Sequence, residues 1–415
     1  MIAFEYLILF LLVVLLAYLI QFRWKRQRLH DLAKNLPGHD GLSIFESIKL
    51  ATKISRRDYI PIMSKFIKDD APITKLWLAN YLTILTKDPD FIHKIFNCSK
   101  TYNKPKVFYQ MFFMDHALTP MGGDDHKRHR RILNKAFTSA VMHNLPEIFN
   151  EKAKKIVTKM EEKVGRGEFD LMDYVGALSL ESFGKINLNY EIDYFQSEIY
   201  YSMKRFVEFC KLKVFVILGI VMKKVNVELA QIFKNFNNFI AKVIDSNKSR
   251  NSQENSIVQL LLDPKNHFSN QEIYEELILT TMASFATSTK TLAATLVLLA
   301  MHKDKQQKLF DEIDEIYSTE SDTKFSNDFL QKFIYLDAVL KESMRIFPAI
   351  PIIGREASEE VEIEGYLIPK GTVILISIFA MHRDKKIWGD DADAFKPERF
   401  FEELTNPHAF VPFAG

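Results

Sequence analysis

The longest apolar run stands at the start of the chain: Ile2 to Ile20, broken only by Glu5, is long enough to cross most of a bilayer. Arg23, Lys25, Arg26 and Arg28 follow at once. A cleaved secretory signal carries its positive charge before the apolar run and a small-residue cleavage site after it, and this stretch has neither. The pattern predicts an uncleaved transmembrane anchor over residues 1–22, with the charged flank and everything after it in the cytosol. A buried core helix at the terminus is the alternative. Pro37, Gly38 and Gly41 make residues 23–44 a basic, breaker-rich linker.

Beyond the linker the period changes from segment to segment. Residues 73–86 alternate around Ala79-Asn80 and predict a hairpin. Asp88 before Pro89 reads as a helix cap with proline at the first helical position. Residues 124–137 form a basic helix whose apolar positions are Ile132, Leu133, Ala136 and Phe137; a solvated cationic face is its plain reading. From 145 to 250 the spacing is helical again, including 145–164 and a Phe-rich stretch over 206–244. The run 215–221 suits membrane contact and a core helix equally. Ser269 and Glu272 spell a capping box ahead of a helix reaching His302, roughly 50 Å long. Leu336, Val339, Leu340, Met344 and Phe347 give one more amphipathic helix, ended by Pro348 and Pro351. Residues 361–378, broken at Gly365-Tyr366 and Lys370-Gly371, read as paired strands. The fold class is mainly α with small β sheets, with one large domain over 45–415.

Charge and composition narrow the class. A net charge of +2 dispersed over 415 residues excludes the concentrated basic surface that nucleic-acid binding needs. Cys98 and Cys210 are too few and too far apart for a disulfide framework and suit a reducing compartment. The 34 phenylalanines fit a greasy ligand cavity or a large helical core.

Three patterns carry candidate chemistry. Glu342 and Arg345 stand three apart on the side of their helix away from the apolar stripe; taken alone they are a surface ion pair worth a few tenths of a kcal/mol. Pro397-Glu398-Arg399-Phe400 and Phe410-Val411-Pro412-Phe413-Ala414-Gly415 follow downstream. On the 270–302 helix, Thr280, Ser284, Thr287 and Thr291 form a hydroxyl stripe, which either back-bonds to carbonyls one turn earlier or lines a site.

Glu-x-x-Arg, Pro-Glu-Arg-Phe and Pro-Phe-x-Gly in this order and spacing resemble the C-terminal half of a cytochrome P-450 of microsomal type, and the likeness extends over almost the whole chain. Lys127 to Phe137 and Pro351 to Arg355 most resemble the fatty-acid-hydroxylating branch (family four). The resemblance implies a cytochrome P-450 fold and a haem-thiolate monooxygenase at the endoplasmic reticulum, its catalytic domain facing the cytosol. Such an enzyme inserts one oxygen atom from O2 into a hydrophobic substrate such as a fatty acid, steroid, hormone or xenobiotic. Electrons come from NADPH through NADPH-cytochrome P-450 reductase, with cytochrome b5 as a further donor.

It also implies roles for single residues. Arg130 matches the arginine of a Trp-x-x-x-Arg pattern that binds a haem propionate, and His126 replaces the tryptophan. Arg355 falls where a further propionate-binding arginine sits. Glu342, Arg345 and Arg399 form a network that fixes the haem-binding core. Ala283 to Ser288 falls on the oxygen-activating stretch, with Thr287 at its threonine, Ser284 in place of a glycine and Ala286 in place of an acid that relays protons. Many fatty-acid hydroxylases esterify their haem through a glutamate at position 283; alanine cannot, so the haem is expected to be non-covalent. Phe413 matches the first residue of the haem loop, whose ligand cysteine is expected past Gly415, and the 415-residue chain by itself is expected to be inactive. The rival readings are an oxygen-independent lipid-peroxide-rearranging haem enzyme, suggested by Ala286, and a truncated, non-catalytic membrane protein.

Overall fold

Two short segments far apart in the chain build one sheet. Strand β1 (Ile73–Leu78) pairs antiparallel with β2 (Tyr81–Thr86), Ile73 opposite Thr86. Strand β3 (Ile352–Glu356), a short hairpin of β4 (Val361–Ile363) and β5 (Tyr366–Ile368), and β6 (Val373–Ser377) come from the other end. β6 lies parallel to β2 and antiparallel to β3, giving the order β1-β2-β6-β3. Because β2 is interior, its side chains from Leu82 to Thr86 are all buried, and the alternation in the sequence does not mark one wet face. Glu364 and Gly365 turn the β4–β5 hairpin with positive φ. β3 carries no strand signal of its own beyond its two isoleucines.

The computed structural model describes residues 20–21, 23–24, 27–38, 66–67, 71–78, 81–109, 114–138, 145–212, 223–248, 255–319 and 326–413. Contacts divide the chain into two compact units, residues 1–105 with 352–381 and residues 106–351 with 382–414. Apart from positions 20 and 21, the expected anchor lies outside the described residues, as does the 215–221 run. The expected linker is partly docked: Lys75 N donates to Pro37 O at 2.6 Å. A Cβ on Gly38, at φ +141°, would sit 2.3 Å from the Lys75 backbone, so only glycine allows this approach. In the same unit helix α1 (Pro89–Asn97) begins at Asp88, whose side chain accepts from Phe91 N.

The second unit is helical: α2 (Gly123–Leu133), α3 (Leu145–Glu161), α4 (Leu171–Asn187), α5 (Glu198–Leu212), α6 (Lys223–Lys248), α7 (Ile257–Leu262), α8 (Asn270–Met301), α9 (Lys303–Thr319) and α10 (Ile334–Ile346). The basic helix over 124–137 departs from expectation, stopping at Leu133 and tightening to a 3-10 turn that leaves Phe137 exposed. α8 is the axis of the unit, opened by the reciprocal Ser269–Glu272 capping box. It packs on α4, α6, α7 and α10. By length and composition α8 would also span a membrane, but Glu275, Glu276, Thr281 and Thr289 are buried in the bundle, which marks a core helix.

Candidate active site

α8 has one closed side and one open side at its midpoint. Phe285 is buried against Tyr194, and Ser179 of α4 donates to Ser284 O at 3.1 Å. Gly176 of α4 allows this approach, since a Cβ there would lie 2.7 Å from Tyr194 Oη and 2.9 Å from the Phe285 ring. Two residues along a helix is a 200° turn, so Ala283 and Thr287 point away from α4. Ala283 is exposed there, and Ala286 and Thr287 are half-buried. The Thr287 hydroxyl donates to Ala283 O at 2.8 Å, and Thr280 makes the same back-bond to Glu276 O at 2.7 Å. Thr280 and Thr287 of the hydroxyl stripe therefore have resting bonds within the helix, and Thr287 presents its hydroxyl beside an exposed alanine.

α2 is clamped onto the first turns of α8. Both ring nitrogens of buried His129 face carboxylates, Nδ1 to Glu276 Oε1 at 2.6 Å and Nε2 to Glu272 Oε1 at 3.0 Å. Arg128 pairs with Glu272, and its guanidinium lies 5.1 Å from the centre of the Phe268 ring. Burial pushes the Glu276 carboxyl up. Burial also pushes Glu272 up, but bonds from Ser269 and His129 and the charge of Arg128 outweigh it and hold this carboxyl at about 2. The plain reading of this helix as a solvated cationic face is thus corrected. His129, Glu272 and Glu276 were missed as a site, although two carboxylates one turn apart on an apolar helix require a partner.

The clamp sets the positions of His126 and Arg130. His126 is buried and Arg130 exposed, and among the described residues the Arg130 side chain makes no hydrogen bond or ion pair. An unpaired guanidinium held on a rigid helix can take a carboxylate bidentately. Arg355 lies in the other unit, on β3, where its guanidinium stands 5.2 Å from the Phe96 ring centre and donates to Gly354 O at 3.1 Å. Phe413 is exposed at 86%.

Glu342, Arg345 and Arg399 do come together, and they are not on the surface: Glu342 and Arg345 are fully buried. Glu342 Oε2 accepts from Arg345 Nε at 2.6 Å, while Oε1 accepts from Arg345 Nη2 at 2.8 Å, Arg399 Nε at 3.0 Å and Lys396 N at 2.9 Å. Arg345 Nη1 donates to the carbonyls of His382 and Ala392, both at 2.6 Å, and Nη2 to Ala394 O at 3.1 Å. The surface-pair reading fails because segment 382–399 covers the polar side of α10. Every strong donor and acceptor is used, which is the condition for a buried ion network to be tolerated.

An open cleft of about 400 Å³ lies by the first turns of α8, lined by Met114, Phe233, Asn237, Tyr274, Glu275 and Ile278. Among the described residues no three His, Cys, Asp or Glu side chains gather to hold a metal ion. Cys98, the free cysteine described, caps the end of α1.

A family model for cytochrome P-450 matches residues 37–415. The chain is 27% identical over 418 residues to the probable cytochrome P-450 313a2 of Drosophila melanogaster, covering 95% of this chain and 85% of that protein. To the probable cytochrome P-450 313a3 of the same fly it is 26% identical over 431 residues, covering 97% and 87%. Against cytochrome P-450 3A13 of Mus musculus it is 28% identical over 355 residues, covering 79% and 70%.

Proposed function

The chain belongs to the cytochrome P-450 family, and on that premise we propose that it is a haem monooxygenase acting on a hydrophobic small molecule with electrons from an NADPH-dependent reductase. The family implies haem as cofactor, and the residues present suit it. The observation that carries the reading is the unpaired Arg130 guanidinium, held by the His129 clamp on the helix that packs at the head of α8. The open side of α8 offers Ala283, Ala286 and Thr287, small enough to lie against a flat ring.

Bound haem would supply oxygen activation and the insertion of one oxygen atom into a C–H bond. Arg130, with His126 one turn before it, would hold a propionate. Thr287 would move a proton by letting go of Ala283 O, a bond that costs little to exchange. The Glu342–Arg345–Arg399 network would keep the floor of the site rigid. Ala283 offers no carboxylate for an ester, so the haem would be held without a covalent bond. The cleft by Met114 and Phe233 would admit the substrate, and a fatty acid is the first to try. Residues 1–22 would tether the protein to the endoplasmic reticulum membrane, with cytochrome b5 as an additional electron donor. For Arg355 the proposed role is a second propionate contact.

Haem titration followed by absorbance tests the core of this. The protein carried on through the haem loop expected past Gly415 should bind stoichiometrically, and Arg130→Ala in it should weaken binding about tenfold, the worth of one charge-assisted bond; uptake by neither protein overturns the reading. Ala286 favours a second reading, in which a lipid hydroperoxide is rearranged without O2 or reductase, because such chemistry dispenses with a relay acid. Ala286→Asp separates the two: it should raise NADPH-driven turnover if oxygen insertion is the reaction, whereas an unchanged rate with hydroperoxide turnover intact supports rearrangement.

A further inference from the structure

His382 is fully buried at the point where three parts of the second unit meet. Its carbonyl accepts from Arg345 Nη1. Its ring lies between Trp388, 6.4 Å away centre to centre and edge-on, and Phe410 at 5.4 Å. Its Nε2 accepts from Val411 N at 3.2 Å. The contacts close a circuit. Arg345 stacks over Trp388 at 5.0 Å, Trp388 meets Phe400 at 6.0 Å, and Phe400 meets Phe410 at 4.9 Å, which returns to His382.

This circuit ends at residues 410 and 411, two positions before the exposed Phe413. Segment 410–413 is neither helix nor strand: a 3-10 turn over Pro407–Ala409 precedes it, capped by the Asn406 side chain. An amide that reaches an imidazole nitrogen is therefore the directed bond that orients it. Nε2 can accept only if the ring proton sits on Nδ1, so the latch requires one neutral tautomer.

We propose that His382 is a positioning residue that latches segment 410–413 onto the Glu342–Arg345–Arg399 network, so that the imidazole sets the direction of the chain up to Phe413. The importance of that direction for haem rests on the reading above; the latch itself does not. Burial, together with the charge of Arg345, pulls the imidazole down to about 3, which keeps the required neutral ring throughout the neutral range.

Hydrogen–deuterium exchange on the intact chain tests the latch without haem. His382→Leu should speed exchange at Val411 about tenfold while the amides of α10 keep their protection. His382→Gln, whose side-chain oxygen reaches the place of Nε2, should restore most of it. Unchanged exchange in the leucine variant, or no rescue by glutamine, overturns the proposal. If the leucine variant does not fold, the wild-type tautomer decides: a nitrogen-15 spectrum should show His382 protonated on Nδ1 from pH 5 to 9, and a proton on Nε2 overturns the latch. Haem titration adds the second arm. In proteins carried on through the haem loop expected past Gly415, weaker uptake by the leucine variant with glutamine rescue extends the latch to the cofactor, equal uptake by all three overturns that extension, and no uptake without either substitution defeats the haem reading alone.

Discussion

Glu342 shows how much one side chain can be asked to hold. Its two oxygens take four bonds, from Arg345, Arg399 and the Lys396 amide, in a fully buried position. Glu342→Gln keeps the volume but removes the countercharge and turns an acceptor into a donor facing guanidinium. Breaking one partner of a buried pair costs about 3–5 kcal/mol, and a urea melt of the variant should show a loss of that size. A midpoint near wild type would mean that water enters the network. The pair Glu342 and Arg345 was legible in the sequence as neighbours one turn apart. Their burial was not, because the carbonyls of His382, Ala392 and Ala394 that cover them lie 37 to 49 residues away.

At the scale of elements, α8 and α4 make the contact on which the open side of α8 depends. It is close because Gly176 has no side chain. Gly176→Ala would put a methyl group into Tyr194 and Phe285, and overpacking of this kind costs about 1–3 kcal/mol. Tyr194→Phe removes the nearer obstacle, so the double variant should recover part of the loss; strict additivity in thermal melts would show that the two residues do not share the strain. The ends of α8 and α1 were legible because a cap is decided within four residues. Ser269 with Glu272 and Asp88 with Pro89 each carry their own signal. The clamp of α2 on α8 was not legible, since His129 and Glu276 stand 147 residues apart.

For the molecule as a whole, buried titrating groups set the response to acid. The His382 imidazole is held at about 3 by burial and by Arg345, against 6.5 for an ordinary histidine. Between these values the unfolded chain takes up the proton and the folded chain does not, so stability falls as pH drops from 6.5 toward 3, by up to roughly 5 kcal/mol. Glu272 and Glu398, both held near 2, act in the same direction at lower pH: their contribution is whole above about 4.5 and is lost as pH falls through 2. Denaturant melts from pH 7 to pH 4 should show a steady decline, and His382→Gln, which does not titrate, should flatten it. A slope unchanged by that substitution would remove His382 as its source.

The sequence by itself determined what depends on near neighbours and on composition: a mainly helical chain with small sheets, the capped central helix, the turn at Gly365, and the ordered motifs that mark the cytochrome P-450 family. The tertiary structure alone decided which residues those elements meet. It put β6 parallel to β2 from the far end of the chain, drove Glu342 and Arg345 inside, locked α2 to α8 through His129, and turned Ala283 and Thr287 to an open face. The physical reason is that a cap or turn is satisfied by groups a few bonds away. A buried charge, an orphan amide or a helix face is satisfied only by whatever the whole chain brings against it.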